Sequence, residues 1–316
     1  MIKFLLLTNS VINNLNMIKR KPKIIVILGQ TATGKSDLAV KIAKKIGGEI
    51  ISADSRQVYK GLNLGTGKIT QKEMQGIPHY LLNVANAKNK FSVAEYKKLA
   101  DKKIKEIIAL GKIPIICGGT GFYIDAVVKN MIFPEIPPNN KLRKNLEKKS
   151  TSELYKMLKK IDTRRAKNID PKNKVRLIRA IEIAKVLGKV PKLKSDTNSA
   201  VAESVSRYEF IKIGLYLPAE KLKEKINNRL LKRMEVGMMK EMQKLHRQGL
   251  SWKRMEELGL EYRYFALYLQ KKLTKEKMLE KLSSEIYKYA KRQITWFKRD
   301  KEIKWFDASK NVAFEI

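Results

Sequence analysis

The stretch KIIVILGQTATGKS, residues 23–36, decides the fold. Its first part, Lys23 to Leu28, is a continuous run rich in β-branched side chains, which is typical of a strand buried in a parallel sheet. The rest matches the pattern G-x-x-x-x-G-K-[ST] without a mismatch: Gly29, Gln30, Thr31, Ala32, Thr33, Gly34, Lys35 and Ser36. In such a loop, backbone N–H groups and the start of the next helix bind an anion, and the lysine adds a full charge. We therefore expect residues 29–36 to bind a phosphorylated ligand, with the Ser36 hydroxyl suited to Mg²⁺.

The residues after this loop alternate between helix and strand patterns. Apolar residues within Ser36–Ile46 have the spacing of one helix face, and Ser92–Leu110 is also helical. Glu49–Ala53 and Ile113–Cys117 are short apolar runs typical of buried strands. This order predicts an α/β fold: a P-loop core with a parallel sheet flanked by helices.

The second half adds helices and returns once to the sheet. After prolines 134, 137 and 138, the residues from Lys141 to about Leu187 are helical and very basic, and Glu220–Arg299 is helical again. Between them, Lys192–Ser206 is loop-like and Tyr208–Leu217 is β-prone, and Ile303–Phe306 resembles a short final strand. We expect a P-loop core with C-terminal helices in residues 21–135 and 201–316, a helical insertion domain in residues 136–200, and a disordered tail or mis-annotated start in residues 1–20.

The charge of the chain indicates a polyanionic partner. Lys and Arg number 68 against 31 Asp and Glu among 316 residues, a net charge of +37. Such an excess repels itself unless a polyanion offsets it, and nucleic acid is the first candidate because neutralising phosphates releases counterions. An anionic membrane surface or a lysine-rich proteome bias are the alternatives. No apolar stretch approaches the roughly 18 residues of a membrane span.

Cysteine and histidine are too scarce for a disulfide framework or a zinc site. Cys117 is the single cysteine, and His79 and His246 are the only histidines. This composition suits a reducing cytosol.

The position of acidic residues relative to the phosphate loop distinguishes between classes of P-loop protein. ATP hydrolysis usually needs a carboxylate at the end of a neighbouring strand, but the third strand continues into Gly118-Gly119-Thr120. The acid at a strand end is Asp54, after the second strand. The C-terminal ends of parallel strands face one crevice, so Asp54 is placed either to act on a substrate or to cap a turn. A second glycine-rich segment, Gly61–Lys68, fails the phosphate-loop spacing and is expected to be a loop near the site.

Several further motifs, taken with the loop and in this order, resemble the tRNA dimethylallyltransferase family. The resemblance covers nearly all of the chain after Lys21 and is carried by Ile51–Tyr59, Gly65–Lys68, Gly76–His79, Gly118–Tyr123, Arg176–Glu182, Leu258–Tyr262 and Lys291–Phe297. It implies transfer of a dimethylallyl group from its diphosphate to the N6 amine of the adenosine 3′ of the anticodon. Gln30 replaces a proline often found in the family, and we expect no particular side chain to be required there.

The resemblance also implies roles for individual residues. Asp54 matches the general base, Thr31 a loop threonine near the reacting centre, and Arg229 an arginine that helps to hold the diphosphate with Mg²⁺. The matched tRNA contacts are Asp54, Ser55, Arg56, Gln57, Thr120, Arg176, Arg179, Lys291, Arg292, Gln293, Thr295 and Trp296. A basic stripe recurs at helical spacing on the last helix, formed by Lys288, Lys291, Arg292, Thr295 and Lys298. From the residues alone, this stripe also fits an ordinary solvated helix face, and Trp296 is equally a core residue.

Three alternatives stay open from the sequence. They are a nucleotide kinase, a prenyltransferase acting on free adenine nucleotides, and a non-catalytic RNA-binding P-loop protein. The kinase leaves the basic C-terminal helix unexplained, and the non-enzyme leaves Asp54 unexplained. For the favoured interpretation we expect a cytoplasmic monomer that binds the anticodon stem-loop of tRNA and dimethylallyl diphosphate, and no membrane.

Overall fold

The computed structural model describes residues 21–191 and 207–310. The predictions for residues 1–20 and for the loop Lys192–Ser206 fall outside these ranges. The described residues divide into two compact units, one within residues 1–129 and 201–316 and the other within residues 130–200.

The first unit is built on a six-stranded parallel sheet with the order β3-β2-β4-β1-β5-β6. The strands are β1 (Lys23–Gly29), β2 (Glu49–Ser52), β3 (His79–Tyr80), β4 (Pro114–Gly118), β5 (Glu209–Tyr216) and β6 (Lys304–Asp307). Central β1 pairs with β4 on one side and with β5 on the other. Its residues from Ile24 to Leu28 are almost fully buried, as expected for a strand covered on both faces. The predicted P-loop α/β fold is therefore confirmed.

Helices cover the sheet and extend beyond it. Near the sheet lie α1 (Lys35–Ile46), α2 (Gln71–Met74), α3 (Val93–Ala109) and α4 (Gly121–Val128). The long C-terminal helical region consists of α9 (Ala219–Glu235), α10 (Met238–Arg247), α11 (Trp252–Leu258), α12 (Leu260–Leu269) and α13 (Lys275–Phe297). Within the described ranges, no helix is both long and apolar enough to cross a membrane.

Helix and strand ends follow local chemistry. At α3, Ser92 accepts from the Glu95 backbone N–H and the Glu95 carboxylate accepts from the Ser92 N–H, a capping box. Gly47 ends α1 with φ of 65°. At Gly118 a Cβ would lie 2.2 Å from the Ala53 carbonyl oxygen, so only glycine lets β4 run this close to the end of β2.

The second unit is helical and begins at Asn130 rather than at residue 136. Its helices are α5 (Asn140–Glu147), α6 (Thr151–Ile161), α7 (Thr163–Lys167) and α8 (Lys174–Leu187). Their apolar faces form a core of their own around Leu154, Leu158, Leu177 and Ile181. This unit therefore has its own hydrophobic core.

Candidate active site

One cavity lies at the C-terminal ends of the central strands, within the first unit. Its volume is about 400 Å³. The phosphate loop forms one wall, and the loops after β2 and β4 together with α9 and α13 form the others. The lining residues are Thr31, Ala32, Thr33, Gly34, Lys35, Ser36, Asp37, Asp54, Gln57, Thr66, Gly67, Ile69, Glu73, Cys117, Gly118, Gly119, Lys225, Asn228, Arg229, Tyr289 and Gln293.

The phosphate loop is held by bonds from its own residues and from β5. The Gln30 carbonyl accepts from the Thr33 hydroxyl at 2.8 Å and from the Lys35 ammonium. Gly29 has φ of 134°, and a Cβ there would lie 2.1 Å from the Leu215 carbonyl oxygen, so this position needs glycine. The loop ends at Gly34, directly before the positive N-terminal end of α1.

We expected position 30 to require no particular side chain, but the Gln30 side chain makes a specific contact. The side chain is buried, and its Oε1 accepts from the Leu217 backbone N–H at 3.1 Å. The Gln30 N–H also donates to the Leu215 carbonyl at 3.4 Å, a bond that proline could not make. In this chain Gln30 therefore ties the loop to β5.

Lys35 and Arg229 are two of the basic residues that line the cavity. Burial, reinforced by the Arg229 guanidinium, lowers the pKa of Lys35 to about 8. Burial likewise lowers the pKa of Arg229. Arg229 donates to the Thr31 hydroxyl at 3.4 Å and to the Gly67 carbonyl at 3.5 Å. The structure thus brings together Lys35, Thr31 and Arg229, around a space suited to an anion.

The second glycine-rich loop is part of the cavity wall and not a second phosphate loop. Gly67 has φ of 57°, and a Cβ there would lie 2.1 Å from Arg229 Nη2 and 1.6 Å from Arg233 Nη2. Arg233 in turn pairs with Glu261 at 3.6 Å. Burial lowers the pKa of Arg233 to about 10 and raises that of Glu261. Gly67 therefore makes room for two cations at the cavity edge.

Glu241 fixes the shape of that loop from α10. Its carboxylate accepts from the backbone N–H groups of Asn63, Leu64 and Gly65 at 3.1, 2.8 and 3.1 Å, and from the Tyr262 hydroxyl at 2.8 Å. A carboxylate that accepts several backbone N–H groups in this way fixes the backbone of the loop just before Gly67.

Asp54 follows β2 and lines the cavity, as the sequence indicated. Its Oδ1 accepts from the backbone N–H groups of Arg56 at 2.8 Å and Gln57 at 3.3 Å. The turn-cap interpretation of Asp54 is therefore correct, and the carboxylate caps its turn while facing the cavity. The Gln57 amide continues this network by donating to the Gly67 carbonyl at 3.3 Å.

The other residues expected near Asp54 lie around the same turn. Thr120 Oγ1 accepts from the Ser55 N–H at 3.0 Å, and its own N–H donates to the Ala53 carbonyl at 3.1 Å. Arg56 is exposed. The loops after β2 and β4 are thus joined beside the cavity.

The last helix, α13, presents both exposed and packed residues. Lys291, Arg292 and Thr295 are exposed, as the predicted stripe requires. Trp296 is half-buried, with its indole N–H donating to Asp125 Oδ2 at 3.1 Å and its ring against Gly121, where a Cβ would lie 2.3 Å away. Trp296 therefore packs on α4 rather than offering a free face.

Gln293 lies on the opposite side of α13 from the stripe. It is 5% exposed, its Oε1 accepts from the Thr31 N–H and its Nε2 donates to the Gly119 carbonyl, both at 2.8 Å. The tRNA contact predicted for Gln293 stays a prediction, and the structure places this side chain in the interior with both amide atoms bonded to the protein.

The arginines of α8 in the second unit differ from each other. Arg176 is exposed. Arg179 pairs with the buried Glu182 and donates to the Ile136 carbonyl at 3.0 Å, and Arg143 also binds Glu182 at 2.7 Å. Burial would raise the pKa of Glu182, but these hydrogen bonds outweigh it and lower the pKa. Arg179 is thus committed to an ion pair within its own unit, a role the sequence did not indicate.

A divalent metal would find few protein ligands here. Ser36 is exposed at the start of α1, with Asp37 beside it on the cavity wall. No group of three metal-ligating side chains exists among the described residues. The Ser36 hydroxyl is a single protein oxygen, of the kind that Mg²⁺ uses together with ligand phosphates and water.

Several cavity residues were not predicted from the sequence. Asp37, Glu73, Lys225 and Asn228 belong to helices whose faces cannot be oriented without the fold. Tyr289 is 36% exposed and lies on the cavity wall. Its spacing from Gln293, one helical turn, is the signal that could have placed both on one face.

Comparisons with known proteins agree on one family. A model of the family described as IPP transferase matches residues 57–300. The tRNA dimethylallyltransferase of Anoxybacillus flavithermus is 40% identical over 296 residues, covering 93% of both chains. The tRNA dimethylallyltransferase 2 of Treponema denticola is 42% identical over 278 residues, covering 87% of this chain and 91% of its own.

Solved structures give the same result. The tRNA isopentenylpyrophosphate transferase of Bacillus halodurans has a TM-score of 0.68 and 35% identity, with 93% of this chain and 92% of that chain covered. A eukaryotic dimethylallyltransferase acting on tRNA has a TM-score of 0.73 at 26% identity, with 91% of this chain and 74% of that chain covered. The chain therefore belongs to the IPP transferase family, whose relatives are tRNA dimethylallyltransferases.

Proposed function

We propose that this protein transfers a dimethylallyl group from dimethylallyl diphosphate to the N6 amine of the adenosine 3′ of the anticodon of tRNA and releases diphosphate. The observation that carries the proposal is one cavity in which Lys35, Thr31 and Arg229 face Asp54. The cations suit a diphosphate and the carboxylate suits an amine that must lose a proton.

The bonds formed and broken in this transfer explain why the cavity contains cationic groups. The adenine nitrogen forms a bond to C1 of the dimethylallyl group, and the C1–O bond breaks with its electron pair leaving on the diphosphate. Negative charge therefore grows on the leaving group, where the loop N–H groups, Lys35 and Arg229 stabilise it. No water is activated, which agrees with β4 ending in Gly118 and continuing into Gly119-Thr120 without an acid.

Asp54 is the group proposed to take the proton from the amine. Its Oδ1 accepts two backbone N–H groups, which fixes the carboxylate toward the cavity. An oriented carboxylate accelerates such a step by roughly 10²–10⁴-fold.

We propose Mg²⁺ as the cofactor, with the Ser36 hydroxyl as its protein ligand and the diphosphate oxygens completing the site. When bound, it would neutralise charge on the diphosphate. The exposed position of Ser36 at the start of α1 supports this assignment.

The tRNA would lie across the basic surfaces. Exposed Lys291, Arg292 and Thr295 on α13, together with Arg56 and Arg176, are the residues proposed to contact RNA phosphates or bases. The target base must leave its stack to meet Asp54, as in other base-modifying enzymes. We further propose a cytoplasmic monomer, a setting that suits a single buried cysteine.

One assay separates the candidate functions. Purified protein is incubated with Mg²⁺, labelled dimethylallyl diphosphate, and either unmodified tRNA or AMP. Label on tRNA supports the proposal, whereas label on AMP alone would identify a prenyltransferase of free nucleotides. ATP turnover without prenyl transfer would identify a nucleotide kinase, and RNA binding without any turnover a non-catalytic protein.

A further inference from the structure

A buried amide connects the last helix to the phosphate loop. Gln293 is 5% exposed although the neighbouring Arg292 is in water. Its Oε1 accepts from the Thr31 N–H and its Nε2 donates to the Gly119 carbonyl, both at 2.8 Å. Both polar groups of the side chain are therefore used, as burial requires.

The two partners of Gln293 follow adjacent strands. Leu28 of β1 is in register with Gly118 of β4, and the chains separate just beyond this pair. Thr31 and Gly119 lie on the two sides of the separation, and the Gln293 amide bridges them. It thus replaces the backbone pairing that the sheet cannot continue.

The fit around the amide is tight. A Cβ on Gly119 would lie 2.3 Å from Gln293 Nε2. The absence of a side chain at Gly119 therefore makes the bridge possible.

The bridge determines where Thr31 and its neighbours lie. Because the Thr31 N–H points to Gln293, the anion must be met by loop N–H groups from Ala32 onward. The Thr31 hydroxyl then accepts from Arg229 at 3.4 Å. Gln293, Thr31 and Arg229 form a chain of contacts that ends in the cavity.

We propose that Gln293 is a positioning residue for the diphosphate half of the reaction, holding Thr31 and Gly119 in place without touching RNA. The role of Gln293 in turnover rests on the proposed function. Its role in binding the diphosphate anion does not, and can be measured separately. In this proposal the exposed residues of α13 contact the tRNA, whereas the buried Gln293 amide on the same helix positions the loop that binds the diphosphate.

The first test compares substitutions on α13. Gln293→Met keeps the size of the side chain and removes both hydrogen bonds, and the exposed Ser284→Ala is the matched control. Calorimetry gives the Kd for inorganic diphosphate with Mg²⁺, and fluorescence anisotropy gives the Kd for an anticodon stem-loop RNA. We expect Gln293→Met to weaken diphosphate binding about tenfold or more, as for unpaired buried groups, with the RNA Kd within about twofold. In turnover, the KM for dimethylallyl diphosphate should rise while that for tRNA stays unchanged.

A double-mutant cycle keeps the proposal testable if Gln293→Met perturbs folding. Gly119→Ala should weaken diphosphate binding in the native protein, because its methyl group displaces the amide. In a Gln293→Ala background, where that space is empty, the same change should alter diphosphate binding by less than about twofold. Additive effects of the two substitutions would overturn the proposal.

The outcomes are separable from the proposed function. Weaker RNA binding with normal diphosphate binding in Gln293→Met would make this residue an RNA contact and overturn the inference. If the native protein transfers no prenyl group to tRNA, the proposed function fails, while the diphosphate measurements still decide the role of Gln293.

Discussion

Raising the pH should release the diphosphate by neutralising Lys35. The pKa of this lysine is lowered to about 8 by burial, with Arg229 adding to the effect. A diphosphate beside the ammonium would raise the pKa again, because an opposite charge favours the charged form. The contribution of Lys35 to binding is therefore complete below the pKa of the free protein and declines as the pH rises above it.

The size of the change in Kd follows from the difference between the pKa of Lys35 in the free protein and its pKa in the diphosphate complex. At about pH 9, roughly one tenth of the free protein carries the Lys35 ammonium, so the apparent Kd should be about tenfold higher than at about pH 7. Each further unit should add about another tenfold until the pKa of the complex is reached. The donor also has an ionising terminal phosphate group. By analogy with a phosphate monoester, its second ionisation lies at about pH 6, below this range, and does not contribute to the change in Kd.

Calorimetric titration with dimethylallyl diphosphate across this range measures the effect. Lys68 is a second candidate for the titrating group, since burial also lowers its pKa to about 8. The Lys35→Arg variant separates them, because a guanidinium stays charged throughout. A flat Kd in the native protein, or an unchanged pH dependence in Lys35→Arg, would refute the assignment to Lys35.

Three further predictions concern the cavity and the helix beside it. Asp54→Asn keeps an oxygen for the turn but cannot take a proton, so turnover should fall by roughly 10²–10⁴-fold with the melting temperature retained; near-normal turnover would remove Asp54 as the base. Gly67→Ala places a methyl group against the guanidinium groups of Arg233 and Arg229 and should weaken diphosphate binding about tenfold by calorimetry, whereas unchanged binding would show that displacing these two arginines does not affect the ligand. Lys291→Ala with Arg292→Ala should reduce the salt dependence of tRNA binding by about two charges, and an unaltered slope would place this face away from RNA.

The strands β1, β2 and β4 were predictable because they are buried on both faces. A run such as Lys23–Gly29 has no polar side to confuse its pattern, and glycines mark where it ends. The strand His79–Tyr80 and the helix Gln71–Met74 were not predicted. Elements this short carry no periodicity, so their structure depends on neighbours such as β2.

The individual contacts of the site were less predictable, because a motif does not say which way a side chain points. Gln293 continues the buried line of Ile286, Ala290 and Phe297, a helical spacing that could have placed a polar group inside an apolar face but was not used to predict its burial. Its partners Thr31 and Gly119 are far away in the chain and could only be found once the strands were paired. Arg179 and Glu182 are spaced i, i+3 on one helix, but their ion pair was not predicted, because the sequence does not reveal the burial of Glu182.

The two interpretations of Asp54, turn cap and general base, turn out to support each other. A base is effective only if its carboxylate is already oriented when the amine arrives, and the N–H groups of Arg56 and Gln57 provide that orientation through one oxygen. The Gln57 side chain then connects this turn to the Gly67 carbonyl, which Arg229 also contacts. The proposed base and the proposed diphosphate site therefore share one hydrogen-bond network. A substitution that moves the Gly67 loop should for this reason affect both binding of the donor and the rate of proton removal.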